Sequence, residues 1–416
     1  MRILTTSDFV GSFFPQPTSY GRLPGAAALQ ATVDDLRAEA GGGLWIDTGD
    51  LAQGSALGAL SDGVWPFLAL RELSIEVAVA GNHELDWGGG HLRRWSAELP
   101  FPLLAANVPL GLPATRLLSA NGQAVGVIGM SLPAMAEMHP GVSAEPDTAG
   151  MVVELATELR RAGARHVVLA LHDGVDGSQR IEGLCERLRG TVDLVLGGHT
   201  LRCHAGPLGG VPFLQPWGFG SQVGVADLHD DGRVAVRLVD VGPERPWTGI
   251  GAGAQAALEA EVAGRLERPL LRAAGGESTL GLAIGDGVPR ADDRLDRVHV
   301  GPADLWNQPA RDGVHAFLGA GDVTLAQVLR LTPFCGARSV WGGGLVAAEL
   351  APAQAEATIR ALAEPGAVAT RGRDPGGTLV LSTFYAAAAD RALGREHDWQ
   401  PIAATLRDGL MQAIAR

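Results

Sequence analysis

The sequence predicts an α/β fold, and three observations predict it. Short apolar, β-branched runs alternate with plausible helices from the start of the chain to about Val241. Most of these runs end in a carboxylate, an amide or an imidazole. The composition, 46% hydrophobic and 19% charged over 416 residues, is that of a globular chain. At roughly 100–200 residues per domain it makes two or three of them.

Taken in order, Ile3-Leu4-Thr5-Thr6 is the first strand and ends in Ser7-Asp8, with Ala28 to Ala40 following as a helix. Leu44-Trp45-Ile46 ends in Asp47-Thr48-Gly49-Asp50. Glu76 to Ala80 is short, β-branched and bounded by breakers, and Gly81 lets the backbone turn sharply into Asn82-His83-Glu84-Leu85-Asp86. Leu103 to Ala106 ends in Asn107. Val152 to Ala162 is a connecting helix, and Val167 to Leu171 ends in His172-Asp173-Gly174. Val192 to Leu196 ends in Gly197-Gly198-His199, and Val223 to Val241 is a hairpin turning at Asp231-Gly232.

Taken singly, these terminal residues have bland readings. Asp8 or Asp50 is a helix cap or turn residue, and His172 or His199 a hydrogen-bonded surface histidine. Taken together, they stand just past buried strands and converge on one edge of a sheet, where open α/β sheets keep their chemistry. Oxygen and imidazole ligands on such an edge suit a divalent transition metal, zinc or manganese, with positions open for substrate.

Charge and composition exclude other classes. A net charge of −13 and a pI near 5.3 argue against nucleic acid or a membrane surface as partner. The chain has no lysine, so all 33 basic residues are arginine. A Walker-type phosphate loop and a Schiff-base lysine are thereby ruled out. Cys185, Cys203 and Cys335 form no CxxC pair and are expected to be small buried hydrophobes. Arg2 to Thr6 already reads as strand instead of signal peptide, and no apolar run is long enough to span a membrane. The expectation is a cytoplasmic protein.

The ordered blocks TSDFVG, GDLAQGS, GNHELDWG, AAN, LHDG and GGHT resemble those of the calcineurin-like metallophosphoesterases, and among them the 5'-nucleotidases. Phe213 to Gly218 looks like the next strand of that family, and Ala303 to Phe334 is similar to its C-terminal substrate domain. The resemblance implies a metallophosphoesterase-type β-sandwich flanked by helices over 1–245, a linking helix over 246–274, and a smaller α/β substrate-binding domain over 275–416. It implies hydrolysis of phosphate monoesters, with two metals polarising the phosphoryl group while water attacks in line. By position, Asp50 resembles the bridging aspartate, and Asn82, His172 and His199 the rest of the second metal site. His83 resembles the histidine that stabilises charge on the transferring phosphoryl, and Asp86 the carboxylate that orients it. The substrate so implied is a small phosphorylated molecule, with nucleotides included.

The departures are as informative. The first motif of the family is Asp-x-His, and here it is Asp8-Phe9-Val10. The last is Gly-His-x-His, and here it is Gly198-His199-Thr200-Leu201. Both lost histidines belong to the first metal site, which retains Asp8 and the shared Asp50. One secure site and a weakened second are therefore expected. His91 and His204 are read as surface residues instead of substitutes.

In the substrate domain Asn307 and Arg311 match the spacing of the family's substrate loop, and Phe334 matches its first stacking aromatic. Gly336 stands where an asparagine reads the base, and Ala388 to Ala392 has no ring where the second aromatic belongs. The competing reading is a degenerate, non-catalytic member that binds a phosphorylated ligand or a protein partner. Retention of His83 and Asp86 favours the enzyme.

Overall fold

The computed structural model describes residues 1–18, 21–54, 63–133 and 147–249, and beyond them five strands. The chain divides into two compact units, the first made of Met1–Pro17, Arg22–Gln53 and Val64–Ala252. Along the chain the strands are β1 (Arg2–Thr6), β2 (Gln16–Thr18), β3 (Gly21–Leu23), β4 (Leu44–Asp47), β5 (Val77–Val79), β6 (Leu103–Leu104) and β7 (Thr115–Ala120). They continue with β8 (Gln123–Met130), β9 (His166–Leu171), β10 (Leu194–Leu196), β11 (His204–Leu208), β12 (Val211–Gln215), β13 (Gln222–Leu228) and β14 (Val234–Asp240). The helices are α1 (Ala26–Ala40), α2 (Val64–Leu70), α3 (Gly89–Glu98), α4 (Thr148–Arg161) and α5 (Arg180–Arg187).

Two six-stranded mixed sheets form the body, in the orders β14-β13-β1-β4-β5-β6 and β11-β12-β10-β9-β8-β7. In the first, β1, β4, β5 and β6 run parallel. In the second, β8, β9, β10 and β12 do. Ile3, Ile46, Val77 and Leu104 of one sheet pack with Val127, Val168, Leu196 and Leu214 of the other in one buried core. The opposite face of the second sheet is covered by Val152, Ala156 and Leu159 of α4 and by Ile181 and Cys185 of α5. Helix α1 buries Leu29, Val33 and Leu36, spaced four and three residues apart, and ends at Gly41 with φ 65°. The expected α/β sandwich flanked by helices is what forms.

The sequence reading passes over the β7–β8 hairpin. Gly126 and Gly129 break the β-branched pattern of β8, and both are required by close packing. A Cβ on Gly129 would lie 2.2 Å from the Cβ of Leu104, and one on Gly126 would lie 2.8 Å from Leu159 Cδ1. Among the cysteines, Cys185 is buried as expected but Cys203 is exposed. Just past His199 and Leu201, the chain has already left the sheet and turns through solvent-facing Arg202.

In the second unit, Pro269–Ala273 pairs antiparallel with Gly321–Thr324. The last residues of the segment expected as a linking helix are thus strand, an exposed ladder edge being satisfied by that pairing. Leu345–Leu350 is flanked antiparallel by Gly377–Ser382 and Gln400–Ala403. Asn307, Arg311 and Phe334 lie outside the described residues, as does most of the expected linker. Among the described residues, no helix is long and apolar enough to cross a membrane.

One buried carboxyl at the top of β4 carries a stability prediction. Asp47 accepts hydrogen bonds from the Thr6 hydroxyl at 2.6 Å and the Gly49 amide at 2.7 Å. Burial pushes its pKa up to about 8, against the pull of those two bonds. A carboxyl raised in the folded state favours folding most below its unfolded pKa, and that contribution is lost as pH rises from there to about 8. Asparagine can keep the Gly49 bond and donate to Thr6 Oγ1. Asp47→Asn should therefore flatten the fall in thermal stability across that window, measured as Tm against pH. An unchanged slope would show that Asp47 is ionised when buried.

Candidate metal centre

The site is made where the parallel strands of both sheets run out. Beyond β1 and β4 the two chains stay in register, with Asp8 N–H donating to Gly49 O at 2.9 Å, Val10 N–H to Asp50 O at 2.9 Å and Gly11 N–H to Leu51 O at 2.8 Å. Asp8 and Asp50 are thereby held side by side. From β5, Gly81 leads into a single 3₁₀ turn over His83–Leu85. From β9 and β10 come His172 and His199.

Asp50, His172 and His199 each turn one ligand atom to a common point, all within 4.8 Å of one another. Among the described residues this is the one cluster of three or more histidine, cysteine or carboxylate groups so arranged. Asn82 joins it, its Oδ1 lying 3.1 Å from His172 Nε2. That same nitrogen is 3.1 Å from Asp50 Oδ2. The other ring nitrogen, Nδ1, donates to the Thr48 carbonyl at 2.7 Å, which fixes the tautomer that leaves Nε2 for a ligand role. The His172 and His199 rings stand edge to face, 5.1 Å apart.

His83 points elsewhere. Its Nδ1 is 2.8 Å from Asp86 Oδ2, across one 3₁₀ turn, and its Nε2 is 4.0 Å from Asp50 Oδ2. Both His83 and Asp86 are buried. The sequence-derived set Asp50, Asn82, His172 and His199 thus comes together around one point, with His83 and Asp86 paired beside it. Asp8 is adjacent: its Oδ2 accepts from Ser7 Oγ and from the His199 amide at 2.8 Å. Its Oδ1 is buried without a hydrogen-bond partner.

The electrostatics are those of a site built for a cation. Burial would raise the Asp50 carboxyl, but His172 and His83 hold it below the usual carboxylate range. Burial raises Asp8 to about 6, opposed by the charge of His172. Burial would lower both imidazoles, yet Asp50 carries His172 up to about 10, and Asp86 with Asp50 carries His83 to about 9. The buried carboxylates thus favour positive charge at this point.

The residues fit one metal ion better than two. The second site has two imidazoles, a carboxylate and an amide oxygen at ligand spacing, a donor set suited to zinc or manganese. Val10 and Leu201, which stand two residues after Asp8 and His199, offer no donor atom. Val10 is buried. The backbone around these positions is left-handed. Asp8, Val10, Asp50, His199 and Leu201 have φ of 49°, 45°, 58°, 67° and 50°. A left-handed valine is an outlier costing about 1–3 kcal/mol, and such strain concentrates at functional sites. His91 is exposed, and half-buried His204 meets Phe213 edge to face with its Nε2 unpaired, so neither enters the cluster.

Sequence reasoning gave no role to Glu84. Its carboxylate accepts the amides of Gly81 at 2.6 Å, Asp50 at 2.9 Å and Leu51 at 2.8 Å. Burial, then the charge of Asp50, raises it to about 7.

Residues 1–203 match the family model described as calcineurin-like phosphoesterase. The chain is 26% identical over 232 residues to a 5'-nucleotidase of Mus musculus, covering 50% of this chain and 39% of that one. It is 27% identical over 262 residues to a 2',3'-cyclic-nucleotide 2'-phosphodiesterase/3'-nucleotidase of Salmonella typhimurium, covering 50% and 40%. The chain thus spans about two fifths of the length of these curated relatives. Among solved structures, a 5'-nucleotidase precursor from Thermus thermophilus aligns over 100% of this chain and 96% of its own, with a TM-score of 0.71 at 19% identity. A sulfate thiohydrolase, SoxB, from Thermus thermophilus aligns over 99% and 93%, with a TM-score of 0.67 at 19% identity. At such identities the structural likeness establishes the fold.

Proposed function

We propose that this chain, whose residues 1–203 match the calcineurin-like phosphoesterase model, hydrolyses phosphate monoesters at the strand-end cluster, using one divalent metal ion. The observation that carries the reading is the convergence of Asp50, His172 and His199 within 4.8 Å, with the buried His83–Asp86 pair alongside. A mere binder would not need the second feature.

Asp50 Oδ2, Asn82 Oδ1, His172 Nε2 and the His199 ring would hold the metal, with Asp8 next to it. When bound, the metal supplies Lewis-acid polarisation of the phosphoryl oxygens and activates water for attack. The chain's own residues do the rest. His83, kept protonated by Asp86 and Asp50, faces the transferring phosphoryl and neutralises charge that grows there. Asp86 fixes the ring and its tautomer.

The substrate is a small phosphorylated molecule, with nucleoside monophosphates as the first class to screen. Asn307, Arg311 and Phe334 are the residues assigned to hold it. With no second aromatic at Ala388 to Ala392, one stacking contact worth about 1–3 kcal/mol per base is forfeited. The purified protein, reconstituted with zinc or manganese, is expected to release phosphate from nucleoside monophosphates with kcat/KM values within about tenfold across the bases. A strong preference for adenosine monophosphate, abolished by Phe334→Ala, would contradict the base-indifferent reading. No phosphate release from any ester in the screen, with metal bound, would leave the non-catalytic reading in its place.

A further inference from the structure

Strands β4 and β5 pair only as far as Asp47 and Ala78. Past that point the two loops that carry Asp50 and Asn82 diverge from the sheet, and their buried amides need other acceptors. Glu84 provides them. One of its oxygens, Oε2, accepts from Gly81 and Asp50 together, and the other, Oε1, accepts from Leu51. The exchange is reciprocal, because Asp50 Oδ1 accepts the His83 amide at 2.9 Å. The Asp50 loop therefore donates two amides to Glu84, and the Glu84 loop donates one, from His83, to Asp50. The loops are pressed together so closely that a Cβ on Gly81 would lie 2.1 Å from Asp50 Oδ1. The clasp also divides the work within Asp50: Oδ1 is committed to the His83 amide, and Oδ2 is left facing His172.

We propose that Glu84 is a positioning residue for the metal: with Asp50 it forms a two-carboxylate clasp that sets the separation of Asp50 from Asn82, and so the affinity of the site. The proposal rests on the metal reading above. Glu84 touches neither metal nor substrate in it. Sheet hydrogen bonds hold the strands, and this clasp joins the strand-end loops that carry Asp50 and Asn82. The glutamate of a metal-binding segment is thus used as scaffold.

The test is a titration with cobalt(II), whose visible absorption reports both binding and coordination geometry. Glu84→Gln is isosteric, but whichever way its amide is turned at least one of the three N–H donors faces another donor. Its cobalt affinity should fall by about 10–100-fold, as for other groups that orient metal ligands, and the absorption band of the bound ion should shift. Glu84→Asp keeps the charge but is one methylene short of spanning both loops, and should fall between wild type and Glu84→Gln. If Glu84→Gln gives no folded protein by circular dichroism, Glu84→Asp decides by the same titration.

A role confined to holding the fold would lower the Tm of the metal-free variants while leaving cobalt affinity and spectrum at wild-type values, and that result overturns the proposal. Wild-type protein that binds no cobalt overturns the metal reading as well. Wild-type binding with unchanged binding in the variants overturns the clasp alone.

Discussion

His83→Ala is expected to lower kcat by about 10²–10⁴-fold, the range for a positioned acid or base, while bound metal stays at the wild-type level. His83 follows Asn82 in the chain, yet its ring turns to Asp86, with Nδ1 2.8 Å from that carboxylate. Its other nitrogen is 4.0 Å from Asp50 Oδ2, too far for a hydrogen bond. On the single-metal reading proposed above, less positive charge would oppose the transferring phosphoryl, and the imidazolium would carry a larger share of the stabilisation. Asp86→Asn should cost less, because it removes the charge behind the ring and keeps a polar partner for it. Steady-state kinetics with metal analysis on the same samples checks both variants. Parallel loss of metal and activity in His83→Ala would make His83 a ligand.

The second large effect is expected at the ligands themselves. Removing a group that only orients a ligand costs roughly 10–100-fold in metal affinity, and removing a ligand costs more. Asn82→Ala and a His199 variant should both come through dialysis without metal and without phosphatase activity. His199 has a φ of 67°, so alanine there would add backbone strain to the loss of the ring. His199→Asn is the cleaner choice, since asparagine tolerates the left-handed region. Retained metal in either variant would mean that the ion is held by a different set of residues.

Much of this centre was legible in the sequence, and for a physical reason. Asp50, Asn82, His172 and His199 each follow a short apolar run, and parallel strands bring such positions to one edge whatever the chain does in between. The His83–Asp86 pair was legible from spacing, since three residues is one helical turn and a 3₁₀ turn forms there. Glu84 was not. Its function lies in accepting amides from loops that are some thirty residues apart in sequence, and nothing local signals that.

The loss of imidazole at positions 10 and 201 could be read off, but not the left-handed backbone kept there. Side-chain chemistry is written in the residue type, whereas a strained φ at valine or leucine is imposed by the surrounding loops. The β8 glycines hid a strand for the same kind of reason: their meaning is the distance to Leu104 and Leu159, which only the packed sheets define.

We propose that this chain works with one divalent metal ion. Val10 and Leu201 bring no donor to the side of Asp8, while Asp50, Asn82, His172 and His199 form a complete set on the other side. Elemental analysis of the wild-type protein, loaded with excess zinc or manganese and then dialysed, measures this most directly. One equivalent of divalent metal per chain is the predicted result, and two equivalents would show that the side of Asp8 also holds an ion.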